Sequence, residues 1–231
     1  MNKLTVQSIE LSATQNDPAF LFSFMDNLER HDIGFQPWED YKTNNSAAFA
    51  IAHNENNMFL KYYVKEQYLS SSVRDLHGEV HKDNCVEFFI ALEKEYYNIE
   101  LNCLGSIKVG YGEGRHGRIM LSGDIVKKIK IHAALNLSLN SAPSNFRWEI
   151  LLIIPKDVFC FSSINTFKGL KCRANFYKCG DDLPDPHFLT WNAIQVKKPD
   201  FHRPEYFGEL FFADEQDPIL STDFQKLLAD G

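Results

Sequence analysis

Between residues 47 and 212 the chain is cut into about ten short runs of β-branched and aromatic residues, each closed off by Asn, Asp, Gly or Pro. This punctuation constrains the fold more than any other feature, because runs so short and so regularly interrupted suit antiparallel strands. They cover 47–53, 58–65, 84–92, 96–103, 106–112, 130–139, 146–154, 171–178, 188–194 and 206–212. Strands of this kind stack as two layers or curl into a partly closed barrel. The expected fold is therefore all-β, an antiparallel β-sandwich with short N- and C-terminal helices. The first helix is signalled by an Asp17 cap, Pro18 at its start and Leu21, Phe22, Met25 and Leu28 at helical spacing. The second is signalled by Ser221 or Thr222 as cap before Phe224, Leu227 and Leu228. With no linker or internal repeat between the runs, one domain over 1–231 is expected, its core spanning about 38–212.

Strand residues face alternate sides, so each run divides by parity into two faces. In 96–103 the odd positions Tyr97, Ile99, Leu101 and Cys103 make a packing face, and the even positions Tyr96, Asn98, Glu100 and Asn102 a hydrogen-bonding one. In 171–178 Cys172, Ala174 and Phe176 pack, leaving Lys171, Arg173, Asn175 and Tyr177 on the other side. A row of Asn, Glu, Arg and Tyr offers planar and paired donors and acceptors, which match the paired hydroxyls of a sugar. Trp191 then has two readings, a platform for the C–H face of a pyranose or a core residue. Trp148, in phase with Phe146, Ile150, Leu152 and Ile154, is core.

A formal net charge of -7 disfavours nucleic acid and anionic lipid as partners. No stretch approaches the roughly 18 apolar residues of a membrane span. Residues 1–10 lack the basic segment and apolar core of an export signal, so the expected location is the cytoplasm; a signal ahead of them would mean the periplasm or secretion. Cysteines at 85, 103, 160, 172 and 179 are odd in number and form no CxxC pair, which suits reduced, mostly buried thiols.

Several other groupings invite chemistry. Glu87 and Glu100 lie on successive strands with the same facing, an arrangement open to a glycoside hydrolase's carboxylate pair or to two glutamates that bind hydroxyls; binding is the reading adopted. His77, His81 and Cys85 are spaced by fours as zinc ligands on a helix would be, but Gly78 and Asp83-Asn84 argue against that helix. Asp181, Asp182 and Asp185 crowd one loop, where they either cap turns or hold calcium. The glycine-rich segment 110–115 is a hairpin or rim from which Arg115 reaches a ligand. No Gly-x-Ser-x-Gly elbow is present.

The segments Asp83-Asn84-Cys85-Val86-Glu87-Phe88-Phe89, Tyr97-Asn98-Ile99-Glu100-Leu101-Asn102 and Arg173-Ala174-Asn175-Phe176-Tyr177, then Trp191 and His202-Arg203-Pro204-Glu205-Tyr206-Phe207-Gly208, occur in that order. Together, over about 38–212, they resemble the family 9 carbohydrate-binding modules, and most closely the stand-alone family 9-like proteins of bacteria. The resemblance implies a β-sandwich that clamps a glycan's reducing end between two tryptophans, with structural calcium nearby. Trp191 matches one tryptophan. The other falls near His81, and Glu100 stands where the family's next strand carries arginine, so His81, Trp38 or Tyr68 becomes the substitute stacking surface. The resulting expectation is a non-catalytic carbohydrate-binding protein that requires no cofactor. Its site comprises Glu100, Asn102, Arg173, Asn175, Tyr177 and Trp191, joined by His81, Glu87 and Arg115.

Overall fold

Phe49 and Phe176 stack face to face, 3.7 Å between ring centroids, at the centre of a core built from two limbs of one folded sheet. The computed structural model describes residues 1–11, 17–137 and 146–216. Its strands are β1 (Lys3–Ser8), β2 (His31–Asp32), β3 (Ser46–His53), β4 (Asn57–Glu66), β5 (Cys85–Ala91), β6 (Tyr96–Asn102) and β7 (Ile107–Gly112). They continue with β8 (Ile119–Met120), β9 (Lys130–Leu137), β10 (Phe146–Pro155), β11 (Lys171–Gly180), β12 (His187–Thr190) and β13 (Gly208–Gln216). Two helices, α1 (Pro18–Phe24) and α2 (Gly123–Val126), interrupt them.

The hydrogen-bonded order is β8-β7-β6-β5-β11-β13-β1-β3-β4-β10-β9, with β12 added to β11 and β2 to β3. One limb runs from β8 to β13 and the other from β3 to β9, joined by β1. The limbs bury the parity faces read from the sequence: Phe88, Ile99 and Phe176 on one side meet Phe49, Tyr62, Trp148 and Ile150 on the other. The Tyr62 hydroxyl donates across this core to the Glu87 carbonyl at 2.9 Å.

All ten predicted runs contain a strand, and the sandwich is mostly antiparallel. The difference lies at β1, which pairs in parallel with β13 and with β3. The register with β13 shifts between Val6 and Ser8, where Gln7 and Ser8 also pair with β3, as bulges do at sheet corners. The run at 188–194 ends early, at Thr190, because the chain then folds back across β11.

Asp17 caps α1 as its sequence suggests, its Oδ2 accepting from the amides of Ala19 and Phe20 at 3.0 Å each. Leu21 and Phe24 of α1, followed by Met25, cover the outer face of β3, β4 and β10 at Ala50, Phe59 and Leu151. Under this helix Lys61 is buried and paired with Asp26 at 2.7 Å and Glu149 at 2.8 Å. The second predicted helix, at 221–228, lies outside the described residues.

Candidate functional site

The outer face of the other limb is more polar, and the chain itself covers half of it. Residues 191–207 lie back over β5, β6 and β11, so that Tyr177 stacks on Phe201 at 4.2 Å and donates its hydroxyl to the Phe201 carbonyl at 3.1 Å. Asn175 exchanges hydrogen bonds with the backbone of Asn192, at 2.8 and 3.0 Å. Where this cover stops, a cavity of about 380 Å³ opens over the middle of the limb.

Glu87, Glu100 and Cys179 form its floor, with Lys108 beside Glu100. One wall is the loop between β7 and β8, with Arg115, His116 and Arg118; the opposite wall is Pro199, Asp200, Phe201 and His202. His81, Asp181 and Phe188 complete the rim.

Cross-strand register decides what meets on the floor. Glu87 on β5 pairs with Glu100 on β6, and Glu100 with Lys108 on β7. One oxygen of Glu100 accepts from Asn98 Nδ2 at 2.6 Å, while the other lies 3.4 Å from Lys108 Nζ and 4.0 Å from His81 Nδ1. Glu87 is different. Burial, and then the negative charge of Glu100, push its carboxyl well above the ordinary carboxylate range. Asp181 is raised too, by burial, with His81 opposing the shift. His202 is driven down to about 3, first by burial and then by Arg118 and Arg115, leaving a neutral ring whose Nδ1 sits 2.7 Å from the Tyr96 hydroxyl.

The Glu87 shift fixes the sign of a stability effect. A raised native pKa contributes stability below the unfolded value of about 4.3 and loses it as pH rises toward the native value. Glu87→Gln keeps the shape of the neutral acid, so it is expected to raise the melting temperature at pH 7 in a chelating buffer and to leave it nearly unchanged near pH 4. Scanning calorimetry at both pH values checks this, and a lower melting temperature at pH 7 would contradict it.

The wall carrying Arg118 is built by that side chain. Its guanidinium donates to Asn98 Oδ1 at 2.7 Å and to the carbonyls of Tyr96 and Gly114 at 2.8 Å each, while lying 4.2 Å over the Tyr96 ring. A Cβ at Gly110 would meet Asn98 Oδ1 at 2.7 Å, so the close approach of this loop to β6 depends on that glycine.

Of the residues singled out in the sequence, the structure brings Glu100, Glu87, His81 and Arg115 together around the cavity. The other five lie elsewhere. Trp191 is 6% exposed and meets Phe49 and Phe176 edge-on, while a Cβ at Gly208 would fall 2.5 Å from its ring, so the core reading fits its placement. Asn175 and Tyr177 are sealed beneath residues 191–207. Asn102 braces a turn, accepting from the amide of Ser106 at 2.9 Å and donating to Asp83 at 3.0 Å. Arg173 sits toward the other end of β11 and donates to the Pro204 carbonyl at 3.0 Å. Among the proposed substitute surfaces, Trp38 is buried, with its indole N–H donating to Val196 O at 2.9 Å. Tyr68 is half exposed and does not line the cavity.

The three aspartates are not gathered into one cluster of side-chain ligand atoms among the described residues. Asp181 borders the cavity, Asp182 lies 3.9 Å from Lys82, and Asp185 accepts from Thr43 Oγ1 at 2.9 Å, so their oxygens do not converge. The fourfold spacing dissolves likewise: His77 Nε2 lies 2.8 Å from Leu121 O, His81 is on the rim, and Cys85 is under the floor. Sequence reasoning missed Lys108, Arg118 and the wall at 199–202. Lys108 carried a signal, because a hairpin turning at Gly105 sets it opposite Glu100; the 199–202 wall belongs to a long connection without periodicity.

Fold and cavity together define a β-sandwich with a concave polar cavity on the outer face of one limb. The sequence pattern of Carbohydrate-binding family 9 matches residues 19–212, and the chain belongs to that family. The solved structure of a candidate carbohydrate-binding protein from Bacteroides uniformis ATCC 8492 is 32% identical, with a TM-score of 0.81 over 91% of this chain and 98% of that one. A family 9 module from Caldicellulosiruptor kristjanssonii in complex with glucose shares the fold at 14% identity and a TM-score of 0.53, over 94% of this chain and 98% of that one. Its complex with cellotriose gives 14% and 0.54, over 94% and 96%. No curated protein matches the sequence.

Proposed function

We propose that this chain recognises a mono- or oligosaccharide in the cavity and releases it unaltered. The observation that carries this reading is the cavity itself, where Glu100, Lys108 and Arg115 offer ionic and planar hydrogen-bonding groups beside the rings of Phe188, Phe201 and His202. Its 380 Å³ falls at the small end of the roughly 300–1,000 Å³ typical of small-molecule sites, which suits one or two sugar rings. Membership of the family supports the ligand class. The Caldicellulosiruptor complexes make glucose and cellotriose the first ligands to test.

A hydrolytic reading draws on Glu87, whose carboxyl is pushed upward beside Glu100. The two are neighbours on adjacent strands of one floor, whereas a glycosidase pair flanks the scissile bond. Their placement favours binding.

The test is calorimetric titration of a glycan panel, followed by product analysis of every binder. Binding without new reducing ends is expected, and Glu100→Gln and Lys108→Ala should each weaken it about tenfold, the equivalent of about 1.4 kcal/mol. Unchanged affinity in both variants, or no binding across the panel, overturns the proposal. New reducing ends that Glu87→Gln abolishes would establish the hydrolase instead.

A further inference from the structure

Beneath the cavity the sheet register assembles a second set of groups. Cys85 and Cys179 are direct cross-strand partners on β5 and β11, and Glu87 lies two residues along β5 on the same face as Cys85. All three side chains are buried, and a ligand atom from each lies within 4.8 Å of the other two. No other group of three His, Cys, Asp or Glu side chains converges in this way among the described residues.

The chemistry of the trio is hard to explain by packing alone. Buried cysteines ordinarily serve as small apolar residues, but here both stand beside a carboxyl group in the middle of a sheet. The Glu87 carboxyl accepts from Cys179 Sγ at 3.2 Å, and a thiol is a weak donor. Glu100 and Asp181 also border this floor, but Lys108 and His81 stand beside Glu100, whereas the Glu87 carboxyl faces the two sulfurs. Two soft sulfurs and one hard oxygen match a borderline divalent cation better than calcium or magnesium, which prefer all-oxygen shells.

We propose that Cys85, Cys179 and Glu87 form a binding site for a thiophilic divalent cation of the zinc class. Zinc–sulfur bonds of about 2.3 Å in a tetrahedral shell set the ligand atoms roughly 3.5–3.8 Å apart, a spacing that small side-chain rotations reach from atoms lying within 4.8 Å of one another. Glu87 and Cys179 reach the cavity surface, which gives the ion a route from solvent. The remaining position faces the cavity, where water, His81 or Asp181 completes the shell. Three protein ligands with one open position is the pattern of a metal centre accessible to a ligand rather than of a closed structural site. This inference does not depend on the saccharide reading, since the trio binds the ion whether or not a sugar occupies the cavity.

The experiment is titration of the reduced, chelator-stripped full chain with Co(II), followed by displacement with Zn(II). Thiolate-to-cobalt absorption in the near ultraviolet and tetrahedral d–d bands in the visible are expected at one equivalent and should vanish as zinc is added. Cys85→Ser and Cys179→Ser should each remove the thiolate band. Cys160→Ser should keep it, because Cys160 is exposed and lies outside the trio. Glu87→Gln preserves the shape of the site and should weaken zinc affinity at least tenfold, which keeps the test decisive if a serine variant misfolds. Absence of thiolate absorption, its survival in folded Cys179→Ser, its loss in Cys160→Ser alone, or unchanged zinc affinity in Glu87→Gln overturns the proposal.

Discussion

Lys178→Met is expected to destabilise the protein by about 3–5 kcal/mol, the cost of leaving a buried partner charge uncompensated. Lys178 and Glu66 are both fully buried at one end of the core, with Nζ 2.9 Å from the Glu66 carboxylate. The pair is embedded in a network. Glu66 also accepts from Trp148 Nε1 at 2.6 Å and from Asn84 Nδ2 at 2.7 Å, and Lys178 lies 3.0 Å from His187 Nε2. Burial by itself would raise Glu66, but Lys178 and His187 reverse the sign and hold its carboxyl below the usual range. Its contribution to stability is therefore present above the unfolded value of about 4.3 and lost as pH falls through the native one. Urea denaturation at pH 7 should show the full loss in Lys178→Met, shrinking toward acid pH. Adding Glu66→Met should recover part of it, since an apolar pair can replace a buried ionic one. Recovery stays incomplete because Trp148 and Asn84 lose an acceptor. A loss under about 1 kcal/mol at pH 7 would show that the network does not hold this end of the core.

The largest effect expected on recognition comes from a side chain that mainly shapes the site. Arg118→Ala removes the donors that tie the glycine-rich loop to β6, and with them one wall of the cavity. Charged hydrogen bonds of this kind contribute about 1.5–3 kcal/mol each, and part of that loss appears as a misplaced wall. Saccharide affinity should fall by at least tenfold while the far-ultraviolet circular dichroism keeps its β form. Arg118→Lys should rescue little, because an ammonium cannot bridge Asn98, Tyr96 and Gly114 in one plane. Full affinity in either variant would mean that the ligand does not lean on this wall.

Much of the sandwich was legible in the sequence because burial on one face leaves a period of two. Tyr97, Ile99 and Leu101, like Cys172, Ala174 and Phe176, are buried where their parity put them. The ordered segments from Asp83 to Gly208 also pointed to the right family. Parity cannot say what lies against the opposite face. Asn175 and Tyr177 look ready for a ligand, yet residues 191–207, with no periodicity of their own, return to cover them. Trp191 shows a related gap, since a lone indole in a strand reads equally as platform or as core until its neighbours Phe49, Phe176 and Gly208 are known. The sequence also holds a signal for the buried ion pair. Glu66 and Lys178 are in phase with the apolar Val64 and Phe176, and two opposite charges in core phase imply that each has a buried partner.

The strand β1 has a consequence for how the protein is made. It leaves the ribosome before the other strands described above, yet its parallel partner β13 is more than 200 residues downstream. During translation the limb that begins at β3 can assemble early, but the seam along β1 stays unzipped until β13 has left the ribosome. Such remote pairing is slow to form, and an unpaired strand edge invites intermolecular pairing while it waits. A nascent chain stalled before residue 208 would therefore carry a nearly complete cavity on an open sheet, making β13 the strand that closes the seam.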